Sequence, residues 1–374
     1  MRSAIVPPFL LRRLSLLRTD APPAVKVAAR NTLLHDRALR HELREGEPAP
    51  PTAPGRPGMR PPTSVAPKGP NRTIGDADGK ETTPGTVVRQ EGADPTDDVA
   101  VNEAYDGLGA TYTLYAEVFQ RDSIDGSGFP LKATVHYGQN YDNAFWDGQQ
   151  MVFGDGDGEV FGRFTASLSV IGHELTHGVT QYTAGLEYQN QPGALNESVS
   201  DVFGALVEQY AKKQTVTDAT WLIGEGLFTP AVQGRALRSM IAPGTAYDDD
   251  VLGKDPQPDH MDGYVNTRAD NGGVHYNSGI PNRAFAVAAV ELGGYAWDHV
   301  GLVWYDTLTG GTLTTKSRFA GFASATVRAA AKRFGGGSDQ EVAVRRGWET
   351  VGITPAESAG SSSTKKKKKS AKKK

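Results

Sequence analysis

His173-Glu174-Leu175-Thr176-His177 is the stretch that decides the fold of this chain. On a helix, residues four apart stand one turn apart on the same face, so both imidazoles can bind one metal ion. The carboxylate of Glu174 is rotated away from that face and can reach a water molecule in the open position of the metal. Taken alone, the five residues are also compatible with two ordinary histidines on a helix face.

A second motif, Asn196-Glu197-Ser198-Val199-Ser200-Asp201, opens a run with helical apolar periodicity and predicts a second helix. Glu197 can supply a third ligand. Asp201, one turn further along, can accept the free ring N–H of a ligating histidine. Two His and one Glu leave one position of a tetrahedral zinc open, which is typical of catalytic zinc sites. Alone, both acids would fit a solvated helix face; after the two histidines, ligation is the better interpretation.

The body of the chain divides into two halves by composition and periodicity. Residues 73 to 165 are rich in Gly, Tyr, Thr and Val, with strands predicted at Thr134 to Tyr137 and Met151 to Phe153. Helices are predicted over about 167 to 182, 196 to 212, 278 to 293, 297 to 309, 317 to 334 and 338 to 350. The pattern predicts an α+β fold: a β-rich N-terminal half and a mainly α-helical C-terminal half, joined by a central helix that floors the zinc cleft between them.

Further motifs occur in the order found in a known family. They are Asn143-Ala144-Phe145-Trp146, Gly154-Asp155-Gly156-Asp157-Gly158, Tyr182-Thr183-Ala184-Gly185-Leu186, Ala236-Leu237-Arg238-Ser239-Met240 and Asp270-Asn271-Gly272-Gly273-Val274-His275-Tyr276-Asn277-Ser278-Gly279. Together with the two metal motifs, they resemble the thermolysin family of zinc metallopeptidases, the neutral metalloproteinases, over roughly residues 73 to 355. The resemblance implies a zinc endopeptidase with one catalytic Zn²⁺, which acts on peptide and protein substrates.

The resemblance also assigns roles to single residues. Glu174 would take a proton from the attacking water and pass it to the leaving amine. Tyr188 and His275 would donate to the tetrahedral intermediate, with Asp270 orienting His275. Substrate binding falls to two groups of residues: Asn143, Ala144 and Arg238 for the peptide backbone, and Phe161, Phe164, Val170, Ile223, Leu227 and Leu237 for an apolar pocket. Cleavage N-terminal to Leu, Phe, Ile or Val is therefore expected.

Calcium binding is expected to be weak or absent. Glu208 and Glu225 match two acids of the family's paired-calcium site, but Ser169 and Leu222 occupy other positions of it where an acid is expected. At a second calcium site of the family nearby, Phe228 and Arg235 occupy the ligand positions. A hard cation needs six or more oxygen ligands. The sequence therefore predicts sites with too few oxygens.

The N-terminal segment resembles the short propeptide of the protealysin-like branch of the family. That interpretation is based on Ile5-Val6-Pro7-Pro8-Phe9-Leu10-Leu11 and on a helix-like stretch from about Pro23 to Arg44. Phe9 stands where the branch commonly has tyrosine, and Phe9 or Leu10 is expected to enter an apolar pocket near the cleft. A loose N-terminal tail is the alternative.

Five segments follow from these observations: 1–47 an inhibitory propeptide, 48–72 a Pro-rich linker with the processing site, 73–182 and 183–355 the two catalytic domains, and 356–374 a Ser/Lys tail. Residues 1 to 72 hold 13 basic and 5 acidic side chains, whereas residues 73 to 364 hold 19 and 38. The basic leader, residues 1 to 72, can thus dock electrostatically on the acidic body, residues 73 to 364. By itself, an acidic body does not favour binding to nucleic acid. The tail, with eight lysines among its last ten residues, fits a solubilising role or attachment to an anionic surface.

Two functional hypotheses from different classes follow: a self-inhibited precursor of an active peptidase, or a catalytically silent binding protein on the same scaffold. The zinc ligands, Glu174 and His275 are all present, which favours the first hypothesis.

No transmembrane segment is predicted, and a monomer is expected. The family resemblance implies secretion, but Arg12, Arg13 and Pro7-Pro8 argue against a signal peptide, so an intracellular location is the alternative. The chain has no cysteine, so disulfides and thiolate ligands are excluded.

Overall fold

The computed structural model describes residues 3–17, 22–45 and 68–356. Its helices are α1 Pro8–Ser15, α2 Pro23–Glu45, α3 Val99–Glu117, α4 Leu168–Tyr182, α5 Asn190–Lys212, α6 Asp270–Asn277, α7 Gly279–Leu292, α8 Val300–Thr309, α9 Phe319–Phe334 and α10 Asp339–Thr350. Its strands are β1 Ser3–Ala4, β2 Arg72–Asp76, β3 Thr86–Gln90, β4 Leu131–Val135, β5 Ala144–Trp146, β6 Met151–Phe153, β7 Leu222–Ile223, β8 Arg238–Ser239, β9 Asp248–Asp249 and β10 Gly253–Lys254. Most of the linker and nearly all of the tail lie outside these ranges.

The predicted division into a β-rich and a helical half is confirmed. Strands of the N-terminal half form a six-stranded mixed sheet in the order β1-β5-β6-β4-β2-β3. Strand β4 is parallel to both β2 and β6, whereas β5 is antiparallel to β6 and to β1. The leader strand β1 is therefore an edge strand of the catalytic sheet. The helices predicted after Ser167 are present, although α5 begins earlier, at Asn190.

Helix α3 lies within the half expected to be mostly β and was not predicted. Its glycines have low helix propensity, but in the fold they leave room for neighbouring side chains. A Cβ at Gly107 would lie 2.3 Å from Ile171 on α4, and one at Gly109 would lie 2.3 Å from the Arg72 guanidinium. Asp98 caps the helix by accepting N–H donors from its first turn.

The two helices with the metal motifs cross at very short range. A Cβ at Gly204 on α5 would lie 2.4 Å from the carbonyl oxygen of Ser169 and 3.0 Å from the peptide nitrogen of His173. Only glycine permits this approach of the two backbones. The contact brings α5 close enough for its acidic side chains to meet the histidines of α4.

Among the residues that the structure describes, no helix combines the length and the apolar character needed to span a membrane.

A buried carboxyl group beside the leader leads to a prediction about stability. Asp142 is fully buried, and burial together with the charge of Asp157 raises its pKa to about 8. In the unfolded chain this group ionises near its ordinary value, so the folded state retains a proton that the unfolded state loses. The stability contributed by the raised pKa is present at acidic pH and is lost as pH rises toward about 8, at about 1.4 kcal/mol per pH unit.

Asp142→Asn should therefore unfold with a higher free energy than the parent protein at pH 8. The gain in unfolding free energy over the parent should be a few kcal/mol larger at pH 8 than at pH 5. The interval spans about three pH units, and each contributes about 1.4 kcal/mol. Denaturant unfolding at both pH values, in a Glu174→Gln background that prevents self-digestion, measures the difference. Asp94→Asn removes a carboxylate from the exposed surface and is the matched control. An equal advantage at both pH values would contradict the prediction.

Candidate active site

Three side chains from α4 and α5 converge in a buried cluster. The Nε2 atoms of His173 and His177 are 3.0 Å apart, and the carboxylate oxygens of Glu197 lie 3.5 and 3.6 Å from them. All three residues are buried, and one ligand atom from each lies within 4.8 Å of the others. Among the described residues, this is the one group of three or more His, Cys, Asp or Glu side chains with that geometry.

The cluster fits a zinc ion. Zinc–ligand bonds of about 2.0–2.1 Å in tetrahedral geometry place two ligand atoms about 3.3 Å apart, close to the observed separations. Glu197 Oε2 is buried and has no hydrogen-bond partner, which is costly unless a cation binds it. Burial lowers the pKa of His177 to about 3, against the attraction of Glu197, so its imidazole is neutral, as a metal ligand must be.

Both histidines are oriented through their other ring nitrogen. Nδ1 of His173 lies 2.7 Å from Asp201 Oδ1, and Nδ1 of His177 lies 2.8 Å from Asn196 Oδ1. An Nδ1–H that donates to these oxygens leaves each Nε2 free to ligate, which is the usual arrangement around zinc. The role of Asn196 was not predicted, although it directly precedes Glu197 in the sequence.

Asp201 is itself held by a buried network. Arg238 donates to both of its carboxylate oxygens, at 2.8 and 2.9 Å, and the Asn282 amide donates to one of them at 2.8 Å. Burial acts to raise the pKa of Asp201, but the charges of Arg238 and His173 outweigh it and hold that pKa well below its usual range. Asp201 is thus an ionised acceptor for His173. Asn282 was not singled out in the sequence, because nothing in its local pattern marks it.

The residues predicted to act on the substrate lie around the same cluster. Glu174 is fully buried, and its Oε2 accepts the peptide N–H of Trp146 at 3.0 Å. His275 Nε2 is 3.3 Å from the Tyr188 hydroxyl and 3.4 Å from Glu197 Oε2. Tyr188 also hydrogen-bonds to Glu197. The structure therefore brings both predicted donors to the edge of the metal cluster.

A tight backbone turn positions His275. Asp270 accepts the His275 Nδ1–H at 2.6 Å and its peptide N–H at 2.8 Å. Residues 270–273 all have positive φ, and a Cβ at Gly272 would lie 2.2 Å from the Asn190 side chain, so the turn requires glycine there. Burial acts to lower the pKa of His275, but Asp270 and Glu197 outweigh it and raise that pKa.

The leader strand lies in the cleft. The peptide N–H of Ile5 donates to the Ala144 carbonyl at 3.1 Å, and that of Val6 donates to Asn143 Oδ1 at 2.9 Å. The Ile5 carbonyl accepts from Arg238 Nη1 at 3.1 Å. These three body residues are the ones expected to bind substrate backbone, so the leader occupies their hydrogen-bonding groups.

The expectation that Phe9 or Leu10 enters an apolar pocket near the cleft stays a prediction. The residues beside the metal cluster precede the prolines: Ala4 and Ile5. Phe9 packs against Tyr276, with ring centroids 4.4 Å apart and the rings tilted by 40°, and Leu10 is buried in the hydrophobic core. Pro7 is the N-cap of α1 and Pro8 its first residue, a position where proline favours the start of a helix, so the extended strand ends before Phe9.

Two predicted groups of residues have clear positions. The apolar pocket residues Phe161, Phe164, Val170, Ile223, Leu227 and Leu237 are buried in the same hydrophobic cluster as Ile5 and Val6. At the calcium positions, Glu208 accepts a hydrogen bond from Lys212, and Ser169 Oγ accepts the Gly224 N–H at 3.1 Å. The ammonium group of Lys212 thus neutralises Glu208, one of the two acids that match the family's paired-calcium site.

Comparison with known proteins identifies close relatives. A family model described as the catalytic domain of thermolysin metallopeptidase matches residues 68–181, and one described as its alpha-helical domain matches residues 184–353. The chain is 51% identical over 352 residues to an extracellular metalloprotease of Pectobacterium carotovorum subsp. carotovorum, covering 94% of this chain and 96% of that protein. It is 52% identical over 289 residues to protease PrtS of Photorhabdus sp. (strain Az29), covering 77% of each.

A solved structure matches the leader as well as the body. It is the precursor of protealysin, a metalloproteinase from Serratia proteamaculans, with a TM-score of 0.82 and 48% sequence identity. The match covers 94% of this chain and 100% of that one. The similarity therefore extends to a protein described as a precursor.

Proposed function

Because the chain belongs to the thermolysin family of metallopeptidases, in its protealysin-like branch, we propose that it is the self-inhibited precursor of a zinc endopeptidase. The observation that carries the proposal is the convergence of His173, His177 and Glu197 beside a leader strand that is bound like a substrate. These three residues would hold the zinc. Bound there, zinc supplies Lewis acidity, which polarises a peptide carbonyl and acidifies a water molecule.

The protein's own groups supply proton transfer and charge stabilisation. Glu174 would accept a proton from the attacking water and deliver it to the leaving nitrogen; its burial keeps the carboxylate away from competing water. His275 and Tyr188 would donate to the substrate oxygen as negative charge develops. While Nδ1–H donates to Asp270, Nε2 carries a proton only in the imidazolium form of His275, which Asp270 favours by raising the pKa of His275.

Substrate would bind as an extended strand along β5, as the leader does. Asn143 and the Ala144 carbonyl would bind its backbone N–H groups, and Arg238 a carbonyl oxygen. The buried Phe161, Phe164, Val170 and Leu237 support a preference for a bulky apolar residue after the cleaved bond. Ile5 of the leader, whose N–H and carbonyl bind Ala144 and Arg238, is itself a bulky apolar residue.

The domain organisation proposed is propeptide 1–47, linker 48–72 containing the processing site, catalytic halves 73–182 and 183–355, and tail 356–374. Contacts of the leader with Arg238, Asn143 and His275 support the inhibitory role of the propeptide. We further propose that the enzyme leaves the cell, in line with the relative named an extracellular metalloprotease. The monomeric state stays a prediction.

Zinc content tests the proposed function. Processed protein should hold one zinc ion per chain, and a zinc chelator should remove both the metal and the activity. His173→Ala and Glu197→Ala should lose zinc. His136→Ala is the matched control, because its imidazole lies between Asp98 and Asp155, at 2.8 Å from each, outside the cluster. Zinc retained by the Glu197 and His173 variants, or lost from the His136 variant, would refute the ligand set.

Calcium is proposed to play little part in stability. Lys212 pairs with Glu208, and the buried Leu222 has no side-chain oxygen to offer as a ligand. Chelation that spares zinc should leave the melting temperature nearly unchanged. An ion bound at ~100 times its Kd would contribute about 2.7 kcal/mol, and its removal would lower the melting temperature by several degrees. Differential scanning calorimetry with and without a calcium-selective chelator measures the effect, and such a drop would contradict the proposal.

A further inference from the structure

The leader strand places one particular peptide bond of the chain at the candidate metal centre. Strand β1 pairs antiparallel with β5, with Ser3 opposite Trp146 and Ala4 opposite Phe145. The Ala4 carbonyl oxygen lies 3.1 Å from His275 Nε2, and the same nitrogen lies 3.4 Å from the ligand oxygen Glu197 Oε2. The bond that follows this carbonyl is Ala4–Ile5.

The neighbouring groups fix this register from both sides. The next carbonyl, that of Ile5, is turned to Arg238 Nη1, whose guanidinium is anchored on Asp201. The Ile5 N–H is held by the Ala144 carbonyl, and the Ile5 side chain is fully buried. Of these two carbonyls, Ala4's is the one beside the proposed electrophilic donor. A bulky apolar side chain follows the bond, as the proposed specificity requires.

We propose that the precursor hydrolyses its own Ala4–Ile5 bond, within one molecule, as a self-processing site additional to the linker. This inference rests on the proposed function. Water would form a bond to the Ala4 carbonyl carbon, the C–N bond would break, and Glu174 would carry a proton from that water to the Ile5 nitrogen. The products are Met1–Ala4, with a new carboxyl terminus, and a chain that begins at Ile5 with an amine. Binding within one chain replaces a bimolecular encounter, which favours the reaction.

The trimmed leader keeps its other anchors. Leu10, Leu11 and Leu14 on α1 are buried, and Arg13 donates to the Val251 and Asp250 carbonyls at 2.9 and 2.8 Å. None of these contacts involves the residues that would be released. The cut therefore leaves a propeptide still docked on the body, and inhibition persists until the linker is cut.

The experiment is a time course of freshly purified, linker-intact precursor, with intact-mass and N-terminal peptide mass spectrometry. A species beginning at Ile5 should form with a first-order rate that does not change over a tenfold range of protein concentration, and Glu174→Gln should lack it. Ile5→Asp, which puts a charge into an apolar pocket, should slow its formation at least ~100-fold. Ile5→Leu should retain it, and so should Leu16→Asp, whose side chain is 68% exposed.

Three results would overturn the inference: a leader that keeps Met1 while the linker is cut, an Ile5 terminus that forms equally in Glu174→Gln, or a rate proportional to protein concentration. A binding readout that needs no turnover accompanies the time course. Glu174→Gln protein, processed in trans by the wild-type enzyme, should bind a synthetic peptide with the sequence of residues 3–9 at least ~100-fold more tightly than its Ile5→Asp counterpart. Equal affinities would also overturn the proposed register. If processed wild-type enzyme cleaves other peptides while Met1 persists, this inference fails and the proposed function stands.

Discussion

Glu174→Gln should leave zinc bound and lower kcat by ~10²–10⁴ or more, the range typical of losing a general base. The amide keeps the size of the side chain, and its oxygen can still accept the Trp146 N–H that now binds Glu174 Oε2 at 3.0 Å. It cannot take a proton at neutral pH. Zinc would remain, because the ligands His173, His177 and Glu197 are untouched. Metal analysis and steady-state hydrolysis of a short peptide measure both quantities, on Glu174→Gln protein whose linker has been cut in trans by wild-type enzyme.

Glu208→Gln is a matched control for this substitution. Glu208 lies on the same helix as Glu197 but binds Lys212, away from the zinc cluster. It should keep zinc and full activity. Substantial peptidase activity in Glu174→Gln, with zinc present and the melting temperature unchanged, would remove Glu174 from the role of base.

Loosening the leader should activate the precursor before its linker is cut. Leu11 and Leu14 on α1 are fully buried in the hydrophobic cluster that joins the leader to the body. Replacing both with Asp would bury two carboxylates without partners, at a cost of several kcal/mol. Since each 1.4 kcal/mol is a factor of ten, peptide hydrolysis by linker-intact precursor should rise by on the order of 10² or more. The assay is an initial rate, with mass spectrometry verifying that the linker is uncut.

Leu16→Asp provides the control, because it adds the same charge to an exposed position of the same segment. It should leave the precursor inhibited. A Glu174→Gln precursor should also stay full length while the wild type shortens between about Glu45 and Arg72. A wild-type precursor that is fully active with its leader attached would refute inhibition, and shortening of Glu174→Gln at the wild-type rate would refute self-processing.

Features set by local spacing were the ones that the sequence predicted well. Helix α4 at Leu168–Tyr182 agrees with the predicted 167 to 182, because apolar periodicity and helix geometry act over a few residues. The same spacing places His173 and His177 on one face. Helix α3 was not predicted, because its glycines disfavour a helix. In the fold, Gly107 and Gly109 leave room for the side chains of Ile171 and Arg72.

By itself, then, the sequence determined the family, the two-part fold and the set of side chains proposed for the metal and for catalysis. The contacts that support these side chains come from tertiary packing: Asn196 lies behind His177, Asn282 donates to Asp201, and the Ala4 carbonyl lies beside the metal cluster. Arg238 and Ile5 are 233 residues apart in the chain. Their contact depends on the packing of a leader strand against a sheet edge and two helices, and no local pattern encodes that packing.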